Sequence, residues 1–296
     1  MTNFFSGTIT AVITPFTAEN TIDFNALEKI IEAQIAGGVE GILFAGTTGE
    51  SPTLTTKERE ELFGKGMEMV NKRAFTVLGT GTNDTAHSIE NAKLITKLRP
   101  DAQLAVNPYY NKPTQKGLYE HFTAMANATD IPIILYNIKG RTGVNIETDT
   151  LVKLAAHKNI RAVKEASGDL PQMMDVLRKV PAGFSVLVGD DLLLLPFMAC
   201  GGHGLVSVVS NIIPKTCSET VRLCLDEEWE EARYDFFKMI DIINAMFIET
   251  NPIPVKETMA LLGYCRPNMR LPMCNAEPAT LDKLKKMIGM IQKMEK

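Results

Sequence analysis

A closed (β/α)8 barrel of the TIM type, followed by a C-terminal helical domain, is the fold this sequence predicts, and three observations predict it. Short apolar runs alternate with helix-period patterns eight times along the chain. The alternation then stops, and only helical patterns follow. At 296 residues and 45% hydrophobic content, the chain is long enough to bury one large α/β core. Parallel crossovers are right-handed almost without exception, and eight in series can close on themselves. The barrel is expected over residues 1–226 and the helical domain over 227–296.

In order, the strands are expected at residues 8–13, 41–45, 75–79, 103–106, 131–136, 160–164, 184–188 and 204–208. Between the first two, Asp23 precedes a helical stripe of Phe24, Leu27, Ile30, Ile31 and Ile35, which Gly37-Gly38 closes. Thr55-Thr56-Lys57-Glu58 reads as a capping box, and Thr114 opens a helix faced by Leu118, Phe122 and Met125. Residues 228–247, 253–262 and 280–294 read as helices alone. The rival is an open doubly wound sheet. It lacks support, because Gly79-Thr80-Gly81-Thr82-Asn83-Asp84 has two glycines of a dinucleotide fingerprint but not the third, and no Gly-Lys-Ser/Thr phosphate loop occurs.

A net charge of -4 without like-charge blocks leaves no footprint for nucleic acid or an anionic membrane, so the expected partner is a small molecule. The five cysteines are scattered and never form a C-x-x-C pair, which suits reduced thiols in the cytoplasm. Met1-Thr2-Asn3-Phe4-Phe5 has neither a basic region nor a long apolar run, so no leader is expected. His87, His121, His157 and His203 have no metal-ligand spacing, and no metal is expected. Glu165 with Asp190-Asp191 suggests one weakly, but adjacent strand residues point to opposite faces.

The stretch Ile160-Arg161-Ala162-Val163-Lys164-Glu165-Ala166 sets a lysine into an apolar strand. Alternation places Ile160, Ala162 and Lys164 on one face. If that face is covered, burying an ammonium is costly and the neutral, nucleophilic amine is favoured. Read alone, a strand-end lysine more often snorkels to solvent. What sets Lys164 apart is the company at the other strand ends, where barrel enzymes keep their chemistry. These are Thr14-Pro15-Phe16, Gly46-Thr47-Thr48-Gly49-Glu50-Ser51, Asn107-Pro108-Tyr109-Tyr110-Asn111, Tyr136-Asn137 running to Arg141-Thr142-Gly143, and Gly189-Asp190-Asp191. Each has a plainer reading: the threonine-glycine stretch as a turn, the tyrosines as packing, Arg141 as a solvated loop residue.

Together these motifs, with Gly201-Gly202-His203-Gly204 and Asn251-Pro252-Ile253-Pro254-Val255-Lys256, resemble the dihydrodipicolinate synthase family of pyruvate-dependent class I aldolases over nearly the full length. The resemblance implies condensation of pyruvate with L-aspartate 4-semialdehyde in lysine and diaminopimelate biosynthesis, with no cofactor beyond the Schiff base on Lys164. It assigns proton transfer to Tyr136, linked to Thr47 and to a Tyr110 supplied by a neighbouring subunit, hence a homo-oligomer, a tetramer built as a dimer of dimers. Thr48 and its loop amides would hold the pyruvate carboxylate, the carbonyl of Val206 and Gly189 would complete the pocket, and Arg141 would pair with the carboxylate of the aldehyde. Two positions depart from the family pattern: Lys139 stands where proline is usual, and Asn107 where threonine is common.

N-acetylneuraminate lyases share the lysine and tyrosine, and Arg141-Thr142-Gly143 is the feature that separates this chain from them. A noncatalytic keto-acid sensor is a third reading, against which the retained proton relay argues. The resemblance also places a lysine-inhibition site at Ser51, Pro52, Thr56, Arg59, Asn83, His87 and Tyr109. Sensitive members have glutamate where this chain has His87, so the site is expected to be degraded and inhibition weak or absent.

Overall fold

In the computed structural model, residues 5–295 are described; residues 1–4, on which most of the N-terminal reading rests, and residue 296 lie outside that range. Eight strands pair in chain order into a closed barrel: β1 (Gly7–Ala11), β2 (Gly41–Phe44), β3 (Phe75–Gly79), β4 (Ala102–Val106), β5 (Ile133–Asn137), β6 (Ile160–Glu165), β7 (Ser185–Val188) and β8 (Gly204–Ser207). Closure leaves no exposed sheet edge. All eight expected strands are present; most of their ends shift by one or two residues, and two of these shifts have an identifiable reason. Residues 131 and 132 stay out of β5: Pro132 has no N–H for a ladder, and the Ile131 carbonyl instead accepts from the Gln103 and Asn159 side chains at 3.2 and 3.1 Å. β1 stops at Ala11, and the Ile13 N–H donates to Asn211 Oδ1 at 3.1 Å.

The chain divides into two compact units, one built on Val77–Val206 and the other on Gly7–Thr76 with Ser207–Lys296. In the first, β4, β5, β6 and β7 run parallel, with Val106 opposite Tyr136, Tyr136 opposite Lys164, and Lys164 opposite Leu187. β5 and β7 are buried along their whole length, as a sheet covered on both faces requires. Helix Gln115–Asn127 carries the Thr114 cap, which accepts from the Gly117 N–H, and buries Leu118, Phe122 and Met125 as its period predicts. It also buries His121, whose ring meets the Thr85 hydroxyl at 2.9 Å. Burial drives the pKa of His121 down to about 4.

In the second unit, helix Phe24–Ala36 starts at an Asp23 cap that accepts from the Ala26 N–H, and helix Thr56–Val70 has the complete Thr55/Glu58 capping box. The apolar stripe of the first of these helices contains one polar member, Gln34. It is fully buried because Thr10 donates to its Oε1 at 2.7 Å while its Nε2 donates to the Asn211 carbonyl at 3.3 Å. The C-terminal helices follow at Trp229–Ala245, Ile253–Leu261 and Pro278–Met294. No helix among the described residues is long and apolar enough to cross a membrane.

Candidate active site

Lys164 ends the inward row of β6 and is buried, with 5% of its surface exposed. Its register partner Tyr136, the penultimate residue of β5, is equally covered, and Lys164 Nζ lies 4.3 Å from the centre of the phenol ring. An amine and a phenol are thus brought together away from solvent at neighbouring strand ends. Gly189, the first residue after β7, closes the other side of the lysine. A Cβ built there would fall 2.6 Å from Lys164 Cε and 2.9 Å from its Cγ, so only glycine leaves room for the stem. The sequence reading has Gly189 completing the pocket, and in the structure it packs against the lysine stem.

Glu165, one residue on, points the opposite way, as alternation requires. It is fully buried and accepts from Asn137 Nδ2 at 2.9 Å and from the Ser167 N–H at 2.8 Å. Desolvation pushes its carboxyl above the usual carboxylate range, and these hydrogen bonds oppose the shift. Asn137 also donates to Asn145 Oδ1 at 2.8 Å and accepts the Ile146 N–H at 2.9 Å, while Gln172 bonds Asn145 from helix Leu170–Lys179. The network fixes the ends of β5 and β6 relative to one another. Glu165 is therefore a scaffold group that ties these strand ends together.

Asn107 accounts for the placement of the Arg141 loop. It is fully buried after β4, and its Nδ2 donates to Thr142 Oγ1 at 3.1 Å and to the Val144 carbonyl at 2.6 Å. Its Oδ1 accepts the Ile138 N–H at 3.3 Å. A threonine could not supply an acceptor and two donor hydrogens at once, so the departure from the family pattern has a structural use here. Lys139 and Arg141 are both exposed on the short helix Lys139–Thr142. Tyr110 is not brought to Lys164 and Tyr136: it is 90% exposed, on a loop where its own φ is +73°. Val206 is buried in β8.

In the second unit, the Gly46–Ser51 stretch forms a tight turn after β2, with the Glu50 N–H donating to the Thr47 carbonyl and the Ser51 N–H to that of Gly46. Ala45 and Glu50 flank it in the left-handed region, and the Thr14 hydroxyl donates to the Gly49 carbonyl at 2.7 Å. Thr48 is buried and its hydroxyl accepts from Asn251 Nδ2 at 3.0 Å; Thr47 is partly exposed. Glu50 is buried against Lys256, Oε1 to Nζ 2.5 Å, with the lysine fully covered and 4.2 Å from the Phe16 ring centre. Burial lowers the Lys256 pKa, and the neighbouring Glu50 carboxylate only partly opposes the shift. Arg270 adds its backbone N–H to Glu50 Oε2 at 3.0 Å, and its guanidinium forks onto Glu58, whose carboxyl that bond holds down at about 2. Asn251 and Lys256 were visible in the sequence only as members of a motif; their burial with partners some two hundred residues away leaves no local signal.

The positions matched to a lysine site are split between the units. Arg59 turns back onto Ser51, donating to its carbonyl at 2.8 Å and its hydroxyl at 2.7 Å, and Pro52 and Thr56 are exposed. In the other unit Asn83 accepts from Asn111 Nδ2 through its carbonyl at 2.8 Å, while His87 and Tyr109 are exposed.

Comparison with known proteins identifies the family. A family model described as the dihydrodipicolinate synthetase family matches residues 4–291. A 4-hydroxy-tetrahydrodipicolinate synthase from Leptospira biflexa is 46% identical over 276 residues, 93% of this chain and 94% of that one. The crystal structure of dihydrodipicolinate synthase from Aquifex aeolicus is similar with a TM-score of 0.95 at 41% identity, covering 97% of this chain and 98% of the other. A monomeric dihydrodipicolinate synthase variant reaches a TM-score of 0.95 at 35% identity, with 99% and 97% covered.

Proposed function

The chain belongs to the dihydrodipicolinate synthetase family, and from that premise we propose that it condenses pyruvate with L-aspartate 4-semialdehyde to 4-hydroxy-tetrahydrodipicolinate, for lysine and diaminopimelate synthesis in the cytoplasm. The observation that carries the reading is the Lys164 amine, buried beside the Tyr136 phenol at the ends of β6 and β5. The amine adds to the pyruvate keto carbon, water leaves, and the resulting imine loses a methyl proton to become an enamine. The enamine carbon attacks the aldehyde, and the amino group of the second substrate then displaces Lys164 from the imine, closing the ring and freeing the enzyme. No cofactor is needed, since the protonated imine is itself the electron sink. Tyr136 relays protons, with Thr47 and a partner copy's Tyr110 as its continuation. Thr48 and the amides of its turn hold the pyruvate carboxylate, with the Val206 carbonyl and Gly189 closing the pocket.

Arg141 pairs with the carboxylate of the semialdehyde. Arg141→Ala is expected to lower kcat/KM for that substrate about 100-fold, the scale of a lost charge-assisted pair, while leaving borohydride trapping of pyruvate near the parent level. Equal loss of both would give Arg141 a structural role. In the same assay, turnover of N-acetylmannosamine in place of the semialdehyde would assign the enzyme to the sugar-acid aldolases instead.

A homo-oligomer, a dimer of dimers, belongs to this reading, because a tyrosine 90% exposed on one copy acts only if another copy receives it. Sedimentation at assay concentration should show it; a monomer with full activity would remove Tyr110 from the relay. Inhibition by L-lysine is expected to be weak or absent. Arg59 lies on Ser51 and places a like charge at the site, costing a cationic ligand about 1 kcal/mol, and His87 offers no carboxylate. Initial rates at saturating pyruvate test this, and strong inhibition at submillimolar lysine would overturn it.

A further inference from the structure

The turn that carries Thr48 is fixed by residues the reaction does not use. Glu50 ends it in the left-handed region at φ +53°, and its carboxylate is held by Lys256 Nζ at 2.5 Å and by the Arg270 N–H at 3.0 Å. Five residues before Lys256 in the same segment, Asn251 donates from Nδ2 to Thr48 Oγ1 at 3.0 Å, and both side chains are buried. A hydroxyl has one proton and two lone pairs. Once an amide N–H occupies a lone pair, the proton is left to point elsewhere as a donor, which is the orientation an anionic carboxylate requires.

We propose that Asn251 is a positioning residue that sets the Thr48 hydroxyl as a hydrogen-bond donor to the substrate carboxylate, on a turn locked by the Lys256–Glu50 pair. The inference rests on the reading that Thr48 holds the carboxylate of pyruvate. It makes a segment beyond the last barrel strand a determinant of keto-acid affinity. Asn251 acts through one hydroxyl, so its effect belongs in the KM for pyruvate and not in the KM for the aldehyde.

Steady-state kinetics on the full-length enzyme test this with Asn251→Ala, Asn251→Asp and Thr48→Val. Asn251→Ala raises the KM for pyruvate about tenfold, the scale of one hydrogen bond to a charged group, with kcat and the KM for the aldehyde within about threefold. Asn251→Asp raises it further, because its carboxylate captures the Thr48 proton and repels the substrate. In a Thr48→Val background Asn251→Ala adds less than about twofold, a non-additivity that general loosening of the fold would not produce. Should Asn251→Ala fail to fold, Asn251→Ser keeps a hydroxyl donor and gives an intermediate KM. If Thr48→Val raises the KM and no Asn251 variant does, the inference is wrong and the proposed function stands. If Thr48→Val leaves the KM unchanged, the carboxylate reading of Thr48 fails, and the inference with it.

Discussion

Lys164→Ala is expected to abolish borohydride trapping of pyruvate and to lower kcat by about four orders of magnitude or more, roughly 5.5 kcal/mol of transition-state stabilisation. The size follows from the route: without the amine there is no imine and no enamine, and direct deprotonation of a ketone methyl group has only the neutral carbonyl, a far weaker electron sink than a protonated imine. Intact-mass measurement after reduction shows the adduct on the parent chain and none on the variant. Lys164→Met, which fills the same slot between Tyr136 and Gly189, guards against a trivial loss of fold and is expected to melt near the parent temperature. An adduct that persists in either variant would place the nucleophile elsewhere and undo the proposed mechanism.

The largest expected effect on stability comes from Lys256→Met. Removing the lysine leaves the Glu50 carboxylate buried at 3% exposure without its counter-ion, a change that costs about 3–5 kcal/mol. For a chain of this size that corresponds to a fall in melting temperature of about 5–8 °C. The double substitution Glu50→Gln with Lys256→Met removes both charges and should recover most of the loss, since a neutral amide can still accept the Arg270 N–H. Thermal unfolding of the two variants beside the parent checks this. A single variant as stable as its parent would mean that Glu50 is neutralised by a proton at little cost and that the other hydrogen bonds of the turn hold it without the ion pair.

The architecture was legible because its signals are local. Strands covered on both faces read as apolar runs, and caps such as Asp23 and the Thr55/Glu58 box need only three or four consecutive residues. Strand ends shifted where side chains replaced ladder partners, as Asn211 does for Ile13, which no period reports. Lys164 and Tyr136 were found by listing strand ends, and their register pairing brings them together. The supports of the site were not found. Lys256 sits in a helix among Ile253, Val255 and Met259, where a lysine reads as a solvated face, yet it is fully buried. Its partner is 206 positions away, and spacing carries no memory of such a distance. Asn107 looked like a departure from pattern until its three partners around the Arg141 loop were seen.

Gly189 bears on the speed of the first chemical step. A free lysine side chain samples many rotamers, worth about 2 kcal/mol of entropy that must be surrendered whenever the amine is aligned for attack. Here the bare backbone after β7 confines the stem at Cγ and Cε from one side while the Tyr136 ring confines the tip from the other. That ordering is completed once, when the chain folds, and is not repeated at each turnover. If the whole of it were saved, the attack on the keto carbon would be faster by about thirtyfold than for an unconfined amine of the same basicity.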